Sequence, residues 1–437
     1  MKCLALLAQT EILGDLLPAY RIREDEKQDR KLTKEVKALK HYERVLLTAY
    51  TRLVKPLTKY CRDFNASNVT TCTELDLVVT KCVLRLLERG RHFNLRKDIT
   101  SVAAPLLNNR DERVRELAYK GITSLFQSDV SGDVTLEVVR ILARIIQNKN
   151  GRVAATVVKS FVSLPLSQEI IQPDFKAPSA SSVAKGKKAK KKQLEKDMRR
   201  FKVSENFDKH LENDMRSTSG EVSIEHKRKS QTEVLTCVMT CYFRIIKHHR
   251  AANVLPEVLE GLAKFANLVN LELVLDLIAC LQKMLLPDPD STAPPLSLSS
   301  SLHCMLTVFQ VLKIHGSALS VDVKDFYTAL YEILPSIGDP EHQSHLPVLL
   351  DCLEMMFAQT KQLSVARIAA FAKRLGSLAL CVPPHASLAL LHAIRSLLSS
   401  NLRASSILDV ESSASGEYRP YLQDPELCNA LASTYNR

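Results

Sequence analysis

The chain has 437 residues, of which 46% are hydrophobic and 5% aromatic, and it carries a net charge of +12. This apolar content is enough to bury a core, which excludes a globally disordered protein, and the length favours two or three domains. Only 12 glycines and no tryptophan occur, whereas sheet proteins need turn glycines and favour aromatic residues. Because good helix formers dominate the composition, we predict an all-α fold.

Eleven cysteines are present, and none forms a Cys-x-x-Cys pair, so zinc-ribbon and thioredoxin spacings are missing. Cys237 and Cys241 lie one helical turn apart, at a spacing that lets two thiolates share a metal ion, but no second pair follows at ligand spacing. We interpret the cysteines as reduced, buried thiols in the cytosol or nucleus. No secretory signal or membrane-spanning run occurs, and we expect no metal, cofactor, small-molecule substrate or membrane contact.

The first block, residues 1–172, has helical periodicity and contains a repeat. Asp111 opens a helix with one continuous apolar stripe, and Asn150 opens a second helix 39 residues later. In this alignment Val114, Ala118, Ile122 and Leu125 match Val153, Val157, Phe161 and Leu164. A period near forty with two helices per unit indicates a HEAT or armadillo-like α-solenoid, with an irregular helical bundle as the alternative.

Capping boxes predict where two helices begin, because the two side chains of such a box satisfy otherwise unpaired backbone donors. Thr71 and Glu74 form one candidate box, and Ser230 and Glu233 form the other.

The second region, residues 173–229, is a basic linker that we predict to be partly helical or disordered. Residues 176–229 contain sixteen Lys or Arg and eight Asp or Glu, so they hold +8 of the net charge of +12. Such a block binds phosphate through counterion release, without base specificity. We assign nuclear targeting or phosphate contact to Lys185, Lys187, Lys188, Lys190, Lys191, Lys192, Arg199 and Arg200. The alternative is an inert, solvated linker.

The third region, residues 230–437, is a second helical-repeat block. Apolar periodicity predicts helices near 255–268, 271–286, 301–315, 322–335, 345–360, 364–382 and 385–400. Prolines at 287, 289, 294 and 295 mark a loop, and the serine-rich tail at 405–420 is expected to be extended. The predicted architecture is therefore two helical blocks joined by the basic linker.

No residue pattern of a catalytic site is found, so we expect the protein not to be an enzyme. His303 and Cys304 are adjacent, and neighbouring residues on a helix point about 100° apart, which prevents a nucleophile–base pair. We interpret one of them as a core residue and the other as a groove residue. His248 and His249 end a helix, where cations complement the helix dipole.

Several segments resemble the nucleolar complex protein 3 family, and together they cover nearly the whole chain. The longest is residues 255–270 (LPEVLEGLAKFANLVN), preceded by 242–247 (YFRIIK). The shorter ones are 18–23 (PAYRIR), 301–304 (SLHC), 325–327 (DFY), 373–375 (KRL), 378–380 (LAL) and 424–430 (DPELCNA). The resemblance also includes a C-terminal domain like that of a CCAAT-binding factor.

The resemblance implies a non-catalytic nucleolar assembly factor for the large ribosomal subunit. Its expected partners are nucleolar complex protein 2, proteins of pre-ribosomal particles, pre-rRNA through non-specific backbone contacts, and origin recognition and licensing proteins in a role in DNA replication. A nuclear transport or chromatin-loading adaptor of α-solenoid type is the alternative, and an enzyme with an unrecognised helical site is a second rival.

Three departures from the family pattern lead us to expect a chain truncated at both ends. The charged N-terminal arm of the family is absent, and residues 431–437 (LASTYNR) leave the pattern, which continues with a Trp-containing helix. We therefore expect the last helices of the C-terminal domain to be missing. Residues 287–299 resemble an insertion.

Overall fold

The structure is a computed structural model. It describes residues 2–23, 33–66, 72–166, 224–248, 253–269, 271–286, 296–315, 323–357, 364–400 and 418–432. Every regular element in these ranges is an α-helix or a 3₁₀ helix, which confirms the predicted all-α fold. The chain divides into two compact units, Met1–Cys241 and Tyr242–Arg437.

The N-terminal unit stacks its helices in two layers. It contains α1 (Lys2–Leu16), α2 (Lys34–Ala66), α3 (Glu74–Arg89), α4 (Arg96–Ala103), α5 (Glu112–Ser128), α6 (Asp133–Asn148) and α7 (Ala155–Val162). Helices α2, α4 and α6 contact each other in sequence and form the first layer, and α1, α3, α5 and α7 do the same in the second. Packing of each helix against its second neighbour along the chain is the α-solenoid arrangement predicted from the repeat.

Carboxylates satisfy backbone donors at two helix starts, and one of them, Asp111, also links neighbouring repeats. Asp111 caps α5 by accepting from the backbone N–H of Arg113 at 2.8 Å, and it also accepts from Cys72 N at 3.1 Å. The side-chain hydrogen bond from Arg113 holds the pKa of the Asp111 carboxyl well below its usual range. Asp129 similarly accepts from the backbone N–H of Thr135 at 2.9 Å at the start of α6. Each cap satisfies helix-end donors that would otherwise lack partners.

The predicted repeat pairs the correct core residues but misplaces one helix start. Val157, Phe161 and Leu164 are buried, as the alignment requires, whereas Val153, aligned with the buried Val114, is only half-buried. However, α7 begins at Ala155 rather than at Asn150. Asn150 and Gly151 instead adopt left-handed backbone conformations at the end of α6, where Gly151 N donates to Ile146 O at 2.9 Å.

Both predicted capping boxes are wrong in position. The box of α3 is formed by Thr73 and Asp76, two residues after the predicted pair. Ser230 does not cap a helix start, because it lies inside α8, which spans Ile224–His248. The boundary between the two compact units also falls within α8.

The C-terminal unit repeats the two-layer arrangement. Its further helices are α9 (Leu255–Phe265), α10 (Leu271–Leu285), α11 (Leu298–His315), α12 (Lys324–Ile333), α13 (Leu346–Phe357), α14 (Val365–Ala379) and α15 (Pro384–Ser400). Helices α9, α11, α13 and α15 form one layer. In the other layer α10 contacts α12, and the 3₁₀ helix Leu334–Gly338 that follows α12 contacts α14. The seven helices predicted for this block are thus confirmed, with ends that differ by several residues.

Some predictions concern residues outside the described ranges. These residues include most of the basic linker, the proline-rich loop at 287–295 and most of the serine-rich tail. The domain bounds at 172 and 229 consequently remain predictions. No helix in the described ranges is long and apolar enough to cross a membrane.

The family-like stretch at 255–270 contains Gly261, and the packing of α9 explains why this position is a glycine. It is a buried glycine in α9, directly against the ring of Tyr242, which is fully buried. A Cβ at position 261 would lie 2.6 Å from Cζ of Tyr242 and 2.9 Å from its Cε2. Only glycine therefore allows this approach of α9 to α8.

We expect Gly261→Ala to lower the free energy of unfolding of the C-terminal unit. Overpacking a close-packed core costs about 1–3 kcal/mol, which outweighs the gain in helix propensity of about 1 kcal/mol. Urea unfolding followed by circular dichroism measures the change. The matched control is Gly14→Ala in α1, where the added Cβ would lie 3.4 Å from Arg89 Cγ, an ordinary contact. Equal effects of the two substitutions would contradict this explanation.

Candidate functional site

The predicted cationic site lies in residues that the structure does not describe. Lys185, Lys187, Lys188, Lys190, Lys191, Lys192, Arg199 and Arg200 all fall within 167–223. Their assignment to nuclear targeting or phosphate contact remains a prediction.

The structure describes the other candidate residues, which are His303, Cys304 and the pair Cys237 and Cys241. Cys304 is buried in α11, whereas His303 lines a surface groove of about 470 Å³, so the division into one core and one groove residue is confirmed. Burial lowers the pKa of His303. Cys241 is buried and Cys237 half-buried, and the described residues contain no group of three or more candidate metal ligands.

The N-terminal unit contains an apolar groove between α1 and α2 with α3 as its floor. We call it the N-terminal groove, and its volume is about 700 Å³. The lining residues are Leu6, Gln9, Ile12 and Leu13 of α1, Ala49, Arg52, Leu53, Pro56, Leu57 and Tyr60 of α2, and Leu75 and Val79 of α3. Nine of these twelve side chains are wholly apolar, and none is a carboxylate.

The groove arises because the neighbouring helices cover the apolar face of α2 only in part. Leu57 is buried against the core, whereas Ile12 of α1 is 60% exposed. The apolar face continues towards the start of α2 through Tyr42 and Val45, which are 52% and 54% exposed. A contiguous exposed apolar surface of this kind is typical of a protein-binding site.

Three carboxylates near the groove have partners. Glu11 lies 3.0 Å from Arg85, and Asp15 lies 3.5 Å from Arg89. Tyr60, in the groove wall, donates its hydroxyl to Asp76 at 2.7 Å, and this hydrogen bond raises the pKa of Tyr60. These three carboxylates therefore present little unpaired negative charge to a partner.

Cations of α2 line one edge of the groove. Arg52, Lys55, Lys59 and Arg62 follow the spacing i, i+3, i+7 and i+10, which places them along one side of a helix. All four are exposed, and within the described ranges none makes an ion pair. We call these four residues the basic edge.

A second feature joins residues 418–432 to the helices of the C-terminal unit. We call this segment the C-terminal strap. Arg374 of α14 donates to the backbone carbonyls of Pro420 at 2.6 Å and Leu422 at 3.2 Å, and also to Tyr331 O at 2.7 Å. Its guanidinium lies over the Tyr331 ring, 3.5 Å from the centroid. A single planar cation therefore holds the strap to both α12 and α14.

Further contacts fix the strap along the same two helices. Arg367 donates to Glu426 at 2.9 Å and stacks over Tyr327, 4.6 Å from the ring centroid. Burial raises the pKa of Tyr327 to about 12, although the nearby Arg367 cation acts in the opposite direction. Cys428, within the strap, is fully buried.

Two family models match the chain, one at each end. The model described as CBF/Mak21 family matches residues 301–436, and the model described as nucleolar complex-associated protein matches residues 1–53. The first match includes the C-terminal strap and its arginines. The second includes all of α1 and more than half of α2, and therefore seven of the twelve residues that line the N-terminal groove.

Curated relatives align over almost the whole chain. The nucleolar complex protein 3 homolog of Homo sapiens is 31% identical over 441 residues, which cover 98% of this chain and 54% of the relative. The Cricetulus griseus homolog has the same identity and coverage. Nucleolar complex-associated protein 3 of Schizosaccharomyces pombe is 25% identical over 466 residues, covering 98% of this chain and 62% of the relative. The chain is thus similar to nucleolar complex protein 3 proteins over almost its whole length.

This similarity confirms the resemblance to the nucleolar complex protein 3 family found in the sequence. The names of the relatives also confirm the predicted nucleolar localisation. The chain spans about half the length of the human and hamster relatives, since it covers 54% of each.

The structure connects family-like motifs that the sequence analysis left separate. Residues 373–375 and 424–430 are distant in the chain, yet Arg374 and Arg367 bind the segment that contains the second motif. The role of Arg374 was missed, because nothing in a local helical pattern shows which carbonyls an arginine will reach. The N-terminal groove was missed for a similar reason. The exposed apolar side chains of α2 were the available signal.

We expect Arg374→Lys to release the C-terminal strap. A lysine keeps the charge but cannot donate to three separate carbonyls from one planar group. Hydrogen bonds from charged groups contribute about 1.5–3 kcal/mol each, so amide exchange of residues 418–432 should accelerate by at least about tenfold. Hydrogen exchange with mass spectrometry measures this. Arg395→Lys, on an exposed arginine of α15, is the control and should leave the exchange unchanged.

Proposed function

We propose that this chain is the scaffold portion of a non-catalytic assembly factor for the large ribosomal subunit. The observation that carries the proposal is the similarity to nucleolar complex protein 3 relatives over 98% of the chain. Two units, each of stacked helices with shallow grooves, support it, because solenoids bind large partners across extended surfaces. Nucleolar complex protein 2 and proteins of pre-ribosomal particles are the proposed partners.

The basic linker adds a second proposed contact. Its lysines attract the phosphates of pre-rRNA without reading base sequence, and the same residues direct nuclear import. A role with origin recognition and licensing proteins is proposed from the family resemblance alone, and no feature of the described residues favours it over ribosome assembly.

Co-sedimentation tests the assembly function. The tagged chain, expressed in cells and resolved on a sucrose gradient, is expected to travel with precursors of the large subunit. Mass spectrometry and RNA sequencing of the affinity-purified material should identify pre-ribosomal proteins and pre-rRNA. A nuclear transport or chromatin-loading adaptor would instead sediment with soluble cargo or with chromatin, and that result would overturn the proposal.

We expect replacement of the six lysines between 185 and 192 with Gln to lower nuclear accumulation and RNA affinity. Each lost phosphate contact reduces the salt slope of single-stranded RNA binding by about 0.7, so the loss of all six contacts would reduce it by about 4. Fluorescence microscopy and salt-dependent anisotropy measure the two effects separately.

The matched control replaces the same six lysines with Arg, which preserves the charge. This variant should behave as the native chain does in both measurements. If the Gln variant also retains nuclear accumulation and the native salt slope, the segment is an inert linker.

A further inference from the structure

The N-terminal groove is bounded by helices of both layers of the first unit. It runs along α2 of the first layer, and α1 and α3 of the second layer form its other sides. Because helices pack along grooves between other helices, a helical occupant suits this surface.

The dimensions of the groove agree with a helical occupant. Its α2 wall extends from Ala49 to Tyr60, which corresponds to about 16 Å at 1.5 Å per residue, or about three helical turns. The exposed side chains of Tyr42 and Val45 lengthen the apolar path along the same helix. An amphipathic helix binds such a surface through side chains at i, i+3, i+4 and i+7.

The charges around the groove favour an occupant with negative charge. The basic edge offers four cations on one side, and Arg52 reaches into the groove itself. The nearby carboxylates Glu11, Asp15 and Asp76 are engaged by Arg85, Arg89 and Tyr60. An occupant with carboxylates beside its apolar stripe would thus gain charge-assisted contacts, and a basic occupant would be repelled.

We propose that the N-terminal groove binds an amphipathic helix of a partner protein that carries acidic side chains along one flank. The proposal rests on the scaffold function and specifies the chemistry of one of its partners. A second copy of this chain fits poorly, because α2 has eight Lys or Arg against three Asp or Glu. The basic linker of the chain itself has the same sign of charge. RNA is disfavoured because nine of the twelve lining side chains are wholly apolar.

Binding of a defined probe tests this proposal with the full chain. The probe is a helix-stapled peptide of about fifteen residues with Leu at i, i+3, i+4 and i+7 and Glu on one flank, since unstapled helices of this length are marginal. A second peptide has Lys in place of every Glu. Fluorescence anisotropy should show saturable binding of the acidic peptide and at least about tenfold weaker binding of the basic one.

Two matched pairs of variants locate the binding site. Arg52→Glu and Ile12→Ser should each weaken binding of the acidic peptide by about tenfold, because they reverse a charge and remove an apolar contact in the groove. Their controls are Arg144→Glu, on an exposed arginine of α6, and Leu4→Ser, on the exposed side of α1 away from the groove. Both controls should bind the peptide as the native chain does.

Other outcomes would overturn the proposal. Binding that is insensitive to the peptide's charge, or lost equally in Arg144→Glu, would mean a general electrostatic contact. Competition by a short uridine oligonucleotide, or self-association that Ile12→Ser abolishes, would assign the surface to RNA or to a second copy. Failure to bind the peptide while the chain still co-sediments with large-subunit precursors rejects only this proposal. Peptide binding without co-sedimentation rejects only the assembly function.

Discussion

The architecture depends on the burial of apolar helix faces, most of them against the second neighbour along the chain. A helix within the stack is covered on both sides, as the complete burial of Val114, Ile122 and Phe126 in α5 shows. Burial of a large apolar side chain contributes about 1.5–3 kcal/mol, so an interior helix is stabilised by its neighbours rather than by its own propensity. At the N-terminal groove, α1 and α3 cover only part of the apolar face of α2 within the described residues.

Helix caps also hold the repeats together, as Asp111 shows. Asp111 binds the backbone of its own helix and that of Cys72, before α3. One carboxylate thereby satisfies donors on two successive repeats and fixes their spacing. Because helix-end donors are costly to leave unpaired in a stacked structure, such residues are as important to the solenoid as its apolar core.

The two units differ in how far a large apolar surface is covered. In the C-terminal unit, Arg367 and Arg374 hold the strap over Tyr327 and Tyr331, so these large aromatic side chains remain covered. In the N-terminal unit the apolar face of α2 stays open beside the basic edge. The matched ranges of the two family models include both features.

The sequence alone determined the helical class, the approximate helix positions and the repeat of core residues. It also showed the family resemblance. Helical periodicity and family motifs are local properties of the chain, so they can be read without the tertiary structure. The sequence misplaced the starts at Asn150, Thr71 and Ser230, since a cap depends on which backbone groups are free, and that is known only after neighbouring helices pack. The groove and the strap were decided by tertiary structure. Leucines of a core and of an interface look alike in sequence, and the carbonyls that Arg374 binds lie more than forty residues away on either side.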